Sequence, residues 1–364
     1  MKTAHSTKDL PDAVADLKLQ YGTRRPRIVV VFGSTKYDPA ALSRQMRQAF
    51  PHSCVIGCST AGEIDCGEML SGSLVALFLD DEIVEDAASA VVENLSSGVQ
   101  IDAAFSRMAR HFGAAIPSLD ISRHVGLVIT DGMSGAEERL LETLGDRTDM
   151  FFVGGSAGDD LKFQSTHVLH NGAAHTNAAV LLILRLKRGF DIVKTQSFQP
   201  IGKTLLATKV DEPKRTVIEF NHKPALAAYA EALGLTQDEA SARFFEHPLG
   251  LMVGSEPFVR SPQRADGGSL VFYCQIKEDT ELEVLQATDI VADTRAAVAA
   301  SQAAGAIHGL IDFQCILRTL QLRNENRCQQ YGEIFHGFPM AGFSTYGEAY
   351  LGHMNQTSTM LLFR

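Results

Sequence analysis

Two near-identical heptads carry the side chains best able to do chemistry. Gly57-Cys58-Ser59-Thr60-Ala61-Gly62-Glu63 returns near the far end as Gly342-Phe343-Ser344-Thr345-Tyr346-Gly347-Glu348, with five of seven positions identical. Each follows a short apolar run and sets two hydroxyls and a carboxylate among glycines that let the backbone turn tightly. Turned N–H groups with Ser59, Thr60, Ser344 and Thr345 suit a carboxylate, and Glu63 or Glu348 suits an ammonium. Such hydroxyls can equally satisfy their own backbone and do nothing more.

Two further turns offer the same kinds of group. Thr130-Asp131-Gly132-Met133-Ser134-Gly135 precedes a helix, with Ser134 and Glu137 at capping-box spacing. A helix start at a strand's end presents free N–H groups and a favourable dipole to an anion. The other turn is Gly154-Gly155-Ser156-Ala157-Gly158-Asp159-Asp160. Each alone is an ordinary connection; convergence beside the first heptad makes Asp131, Ser156 and Asp159 candidate ligand contacts.

Motifs for covalent or phosphate chemistry fail on context. Gly154 to Gly158 matches the G-x-S-x-G nucleophile elbow, but a helix must follow and Asp159-Asp160-Leu161-Lys162 does not start one. Gly202-Lys203-Thr204 lacks the glycine that a phosphate loop needs five residues earlier, where Ser197 stands. Six cysteines include Cys54, Cys58 and Cys66 beside His52, without the paired CxxC of a zinc site. An enzyme would have to assemble distant residues such as Glu63, Asp159 and Glu348.

The elements that must position these groups alternate along the chain. Helices are expected at 9–21, 39–50, 101–112 and 136–144, with strands at 27–32, 73–79, 83–92 and 124–130. A hairpin turns at Asn171-Gly172, and His175 to Leu186 reads as its second strand. Further on, 289–304 reads as a helix, 316–335 contains a long helix, and 307–313 and 357–363 read as strands. Continuous Val/Ile/Leu strands between helices predict an α/β fold of mixed sheets covered by helices. Two heptads at the two ends suggest two lobes with a cleft between them. The boundary is expected near 210, leaving residues 1–24 as an N-terminal extension.

Composition excludes other classes. At 364 residues the chain can bury a substantial core, and 45% hydrophobic with 21% charged residues is ordinary for a globular protein. A net charge of −10 argues against a nucleic-acid partner. No apolar run approaches the roughly 20 residues needed to span a bilayer, so no membrane span is expected. Met1-Lys2-Thr3-Ala4-His5 leads into polar sequence without a signal peptide's apolar core, and the expected location is cytoplasmic.

The ordered set of motifs resembles the FIST proteins. It comprises Gly57 to Ile64, Gly154 to Asp159, Pro200-Ile201-Gly202-Lys203, Cys315 with Arg318, Gly342 to Glu348 and Asn355-Gln356-Thr357. The resemblance covers about residues 25–360 and implies a FIST N-terminal domain over 25–210 and a C-terminal one over 211–364. It implies a bacterial sensory module that binds a small ligand, adds Arg318 to the ligand contacts, and points to a histidine kinase or cyclic-dinucleotide enzyme as partner. Stand-alone members include haem proteins that sense nitric oxide, so haem is the leading expected cofactor. His353, His308 and His170 are then candidate axial ligands. Where family members often read His-Asn-x-Thr, this chain reads His353-Met354-Asn355-Gln356-Thr357. In a strand, that one-residue shift turns the imidazole to the opposite face. An amino-acid-like carboxylate is the alternative ligand, and it suits the heptads.

Overall fold

Most of the expected strands and helices form, but they are shared among sheets in a way that no local pattern announces. The computed structural model describes residues 1–364, which divide into two compact units. The first takes residues 1–195, 294–353 and 358–364, and the second takes 196–293 and 354–357. Both heptads therefore lie in the first unit instead of one in each lobe. The boundary expected near 210 falls inside the second unit, where Glu212–Lys214 is a short turn between paired strands.

In chain order the first unit begins with β1 (Lys2–Ser6), α1 (Asp12–Tyr21), β2 (Ile28–Gly33), α2 (Pro39–Ala49) and β3 (Cys54–Ser59). The hairpin β4 (Glu63–Asp65) and β5 (Glu68–Met69) follows, then β6 (Leu74–Leu79). The chain then repeats itself. β7 (Val84–Glu93), α3 (Asp102–Phe112), β8 (His124–Thr130), α4 (Glu137–Gly145) and β9 (Phe152–Ser156) lead to the hairpin β10 (Val168–His170) and β11 (Ala173–His175), and to β12 (Ala178–Leu186). A third round starts with β13 (Phe190–Gln196) and is interrupted by the second unit.

The second unit contains β14 (Phe198–Asp211), β15 (Thr216–Phe220), β16 (Lys223–Pro224), α5 (Ala225–Leu233), α6 (Gln237–Ser241), β17 (Leu249–Val253), β18 (Glu256–Arg260), β19 (Pro262–Asp266), β20 (Ser269–Phe272) and β21 (Glu281–Ala287). Its antiparallel strands run in the order β18-β17-β21-β14-β15-β20-β19, with β16 on β15. Ala225, Leu226 and Tyr229 of α5 pack on Leu205, Phe220, Phe272 and Leu282. The Gln356 side chain is held by the Ser261 hydroxyl (2.6 Å) and the Phe245 carbonyl (3.1 Å), which ties residues 354–357 to this unit.

The third round then completes itself with α7 (Ile290–Ala304), β22 (Gly309–Cys315), α8 (Ile316–Asn324), α9 (Cys328–Gly332), β23 (Met340–Thr345), the short strands β24 (Glu348–Ala349) and β25 (His353–Met354), and β26 (Thr357–Phe363). The long helix expected within 316–335 is two short ones, because Asn326 sits at φ 54°, a left-handed stop.

Each round makes the same six-stranded sheet: β1-β6-β2-β3-β10-β11, β7-β12-β8-β9-β24-β25 and β13-β26-β22-β23-β4-β5. The middle pair is always parallel. The last two strands always come from another round: β10-β11 completes the first sheet, β24-β25 the second and β4-β5 the third. Because side chains alternate along a strand, each continuous apolar strand serves two cores. Ile28, Val30, Phe32, Leu127, Ile129, Ile311 and Phe313 share one central core. The outward residues Val29 and Val31 pack under α1 and α2, and Val128 packs in the cluster that includes Leu140 of α4.

Two local expectations change. Ser134 does not cap α4, which starts at Glu137 without a side-chain cap; the Glu137 carboxylate instead accepts from Ser156 (3.3 Å). The hairpin turns at Asn171 (φ 46°) and Gly172 (φ 98°) as expected, but its second strand ends at His175. Asn177 (φ 49°) redirects the chain, and β12 belongs to the second sheet. No helix is long and apolar enough to cross a membrane.

Candidate functional site

The three glycine-rich turns meet on one another's backbones. Ala61 N–H donates to the Ser344 carbonyl (3.3 Å) and Ser344 N–H to Gly62 (2.8 Å). Tyr346 N–H donates to Ser156 (3.1 Å) and Ser156 N–H to Gly347 (2.8 Å). Gly158 N–H donates to Ser59 (3.0 Å) and Asp160 N–H to Thr60 (3.0 Å), which closes the triangle. The structure thus unites Ser59, Thr60, Glu63, Ser156, Asp159, Ser344, Thr345 and Glu348.

Their side chains bond within the protein. The Thr60 and Ser73 hydroxyls donate to Glu63, with Ser73 N–H as a third donor (3.0 Å). Burial pushes the Glu63 carboxyl up from its usual range, against the pull of those donors. Thr345 donates to Glu348, Ser344 shares a hydrogen bond with Thr319 (2.8 Å), and Ser59 accepts from His167 N–H (2.9 Å). Asp131 accepts from the Thr166 hydroxyl and from the N–H groups of Asn177 and Met133. Of these bonds only Ser59 to His167 crosses between rounds; the others brace the turns within each round, and the backbone bonds above join the rounds. The Ser156 hydroxyl donates to the Glu137 carboxylate (3.3 Å), and the helix that a nucleophile elbow needs does not follow it. A serine-directed fluorophosphonate probe is expected to leave Ser156 unlabelled; stoichiometric labelling there would contradict this.

Comparison of the three rounds exposes a different site. At four equivalent outward positions the first round has Val31, Gly33, Leu74 and Ala76, and the second has Val128, Thr130, Ala179 and Leu181. The third has Asp312, Gln314, Ser358 and Met360. A largely apolar layer has become polar in one copy only.

Asp312 and Gln314 are fully buried and, two apart on β22, face the same side of the sheet. Ser358 donates to Asp312 Oδ1 (2.7 Å), and Tyr331 of α9 donates to Gln314 Oε1 (2.5 Å). Arg318, 1% exposed on α8, donates to Thr294 of α7 (2.9 Å). Asp312 Oδ2 and Gln314 Nε2 have no hydrogen-bond partner in the protein. Unpaired buried polar atoms are costly, and an acceptor beside a donor suits a ligand that carries both. Burial pushes the Asp312 carboxyl up to about 6, against Ser358 and the Arg318 charge. Arg318 was accessible from sequence through family resemblance. Asp312 and Gln314 were legible only as two polar residues alternating within Gly309-Leu310-Ile311-Asp312-Phe313-Gln314-Cys315.

The three candidate imidazoles stay apart. His170 on β10 has its Nε2 against Ser89 (2.9 Å) and Asn171 (3.1 Å), and burial pulls it down to about 4, leaving it neutral. His308 is exposed, with Nε2 against Arg188 (3.2 Å). His353 is buried with its ring so close over Gly347 that a Cβ there would collide with it.

Comparison with known proteins supplies the family. The FIST N domain model matches residues 27–223 and the FIST C domain model residues 225–350. An uncharacterized protein of Methanocaldococcus jannaschii is 26% identical over 261 residues, covering 67% of this chain and 50% of that protein. The chain thus spans about half the length of this curated relative. FIST domains are sensory, ligand-binding modules. With family matches running almost without a break from 27 to 350, the chain belongs to the FIST family.

Proposed function

We propose that this FIST protein is a non-catalytic sensor of an amino-acid-like molecule, bound on the outer face of the third sheet. One observation carries this: Asp312 Oδ2 and Gln314 Nε2 are buried and unpartnered where the two sister rounds are largely apolar. An ammonium would complete Asp312, and a carboxylate would complete Gln314 with the Arg318 charge close by. The buried state changes of such a site reach other proteins by contact, with a histidine kinase or cyclic-dinucleotide enzyme as the partner that family resemblance implies.

Haem is the competing cargo, and it needs an imidazole nitrogen turned to the iron in an apolar slot. What weighs against it is that His170 and His308 have Nε2 engaged and His353 is packed on a backbone glycine. The amino-acid reading is tested by calorimetry with the standard amino acids, beside acetate and ethylamine as single-charge controls. A zwitterion is expected to bind, the controls to bind far more weakly, and Asp312→Asn to weaken binding about 30-fold through loss of a charge-assisted bond. Equal affinity in the variant, or no zwitterion bound, would exclude this ligand.

A further inference from the structure

Residues 159–165 hold a shape the chain does not adopt freely. Asp160 (φ 53°), Leu161 (φ 63°) and Phe163 (φ 52°) all lie in the left-handed region, which L side chains rarely enter. Leu161 and Phe163 are also 38% and 49% exposed, so little apolar burial offsets the strain. Polar contacts impose the shape instead. The Asp159 carboxylate accepts from the N–H groups of Phe163 (2.8 Å), Gln164 (2.6 Å) and Ser165 (3.0 Å). The Asp160 carboxylate accepts from Ser34 Oγ (3.0 Å) and from Thr35 N–H (2.9 Å) and Oγ1 (2.5 Å).

Tyr346 closes the arrangement. Its hydroxyl donates to Asp159 Oδ1 (2.5 Å) and accepts from the N–H groups of Asp159 (3.2 Å) and Leu161 (3.0 Å). Its ring stacks on Phe163 at 4.8 Å and 20°. Counted from the motif serines, the other rounds have Ala61 and Gly158 at this place. The round with the polar site is also the round with the tyrosine. Two residues before it, Ser344 pairs in register with Gln314 and bonds to Thr319 on α8, the helix that bears Arg318.

We propose that residues 159–165 are the output element of the third-round site, latched in their strained form by Tyr346. A ligand seated on Gln314 steadies β22 and β23 and so tightens the latch; without it, the loop more often relaxes and carries Leu161 and Phe163 with it. The input side of this rests on the ligand reading above, whereas the latch does not. A strained segment held by another element is the kind of two-state device through which occupancy can be read elsewhere.

The test is native-state trypsin cleavage after Lys162 in the full chain, with urea unfolding measured in parallel. Tyr346→Phe keeps the ring and removes the hydroxyl, and is expected to raise cleavage about tenfold with little change in the unfolding midpoint. Asp312→Asn is expected to change cleavage at least twofold in the wild-type background and not in Tyr346→Phe, the signature of coupling in a double-mutant cycle. An unchanged rate in Tyr346→Phe overturns the latch, and strictly additive effects overturn its link to the site. If calorimetry finds no amino-acid ligand, both cleavage results still stand, so the two failures are distinguishable.

Discussion

Gly154→Ala is expected to destabilise the protein by roughly 3–5 kcal/mol, at the upper end for one added methyl in a packed interior. Gly154 pairs with Val128 across the parallel strands, and a Cβ there would sit on the Val128 carbonyl oxygen. Backbone cannot step aside as a side chain can, so β8 and β9 would have to part. Gly57 faces Val31 and Gly342 faces Asp312 in the same manner, so the demand recurs in every round. Gly145 is the contrast: it ends α4, and a Cβ would meet nothing within 4 Å. Gly145→Ala is expected to be neutral or to stabilise by up to about 1 kcal/mol. Urea midpoints compare the two directly, and equal midpoints would mean that the strands do not approach as described.

Asp312→Asn is expected to make the protein more stable while weakening ligand binding about 30-fold. The folded-state pKa of Asp312, about 6, lies above the ordinary value for an aspartate. Folded protein therefore keeps this proton after the unfolded chain has released it. Its contribution is most favourable below about pH 4, falls as pH rises towards 6, and stays low above that. At about 1.4 kcal/mol per pKa unit, the loss is on the order of 2–3 kcal/mol at neutral pH. Asparagine carries no such penalty, so the variant should gain on the order of 2 kcal/mol at pH 7.5 and almost nothing at pH 4. Stability gained with binding weakened marks a residue kept for function. If the variant is instead less stable at pH 7.5, Asp312 is a structural anchor.

Much of the α/β alternation was legible because it depends on local pattern. The apolar run Ile28 to Phe32, the Asn171-Gly172 turn and the amphipathic stretch 101–112 each reveal their element from neighbouring residues alone. Sheet membership was not legible. Glu63 pairs with Phe343 and Glu348 with Gly155, and nothing near either position in sequence names such a partner. The third heptad copy was hidden for a similar reason. Gly154-Gly155-Ser156 keeps the glycine that must approach a carbonyl and the serine after it, but has Ala157 where the others have threonine. The hydroxyls and carboxylates that looked most chemical hold the turns together. Those at the proposed site, Asp312 and Gln314, stand out only once three rounds can be superposed and one found polar.

The exchanged hairpins also govern when the protein can become itself. The third sheet needs β4 and β5, made early, and the second needs β24 and β25, made late. A growing chain that has emerged as far as residue 293 has an open edge on β9 and a hairpin with no strand to join. Exposed edges of this kind invite pairing with other chains. Closure must also bridge the whole second unit, although the entropic cost of a longer loop grows only slowly with its length. Native pairing so distant in sequence favours slow folding, and here the ring cannot close before β23, β24 and β25 have emerged.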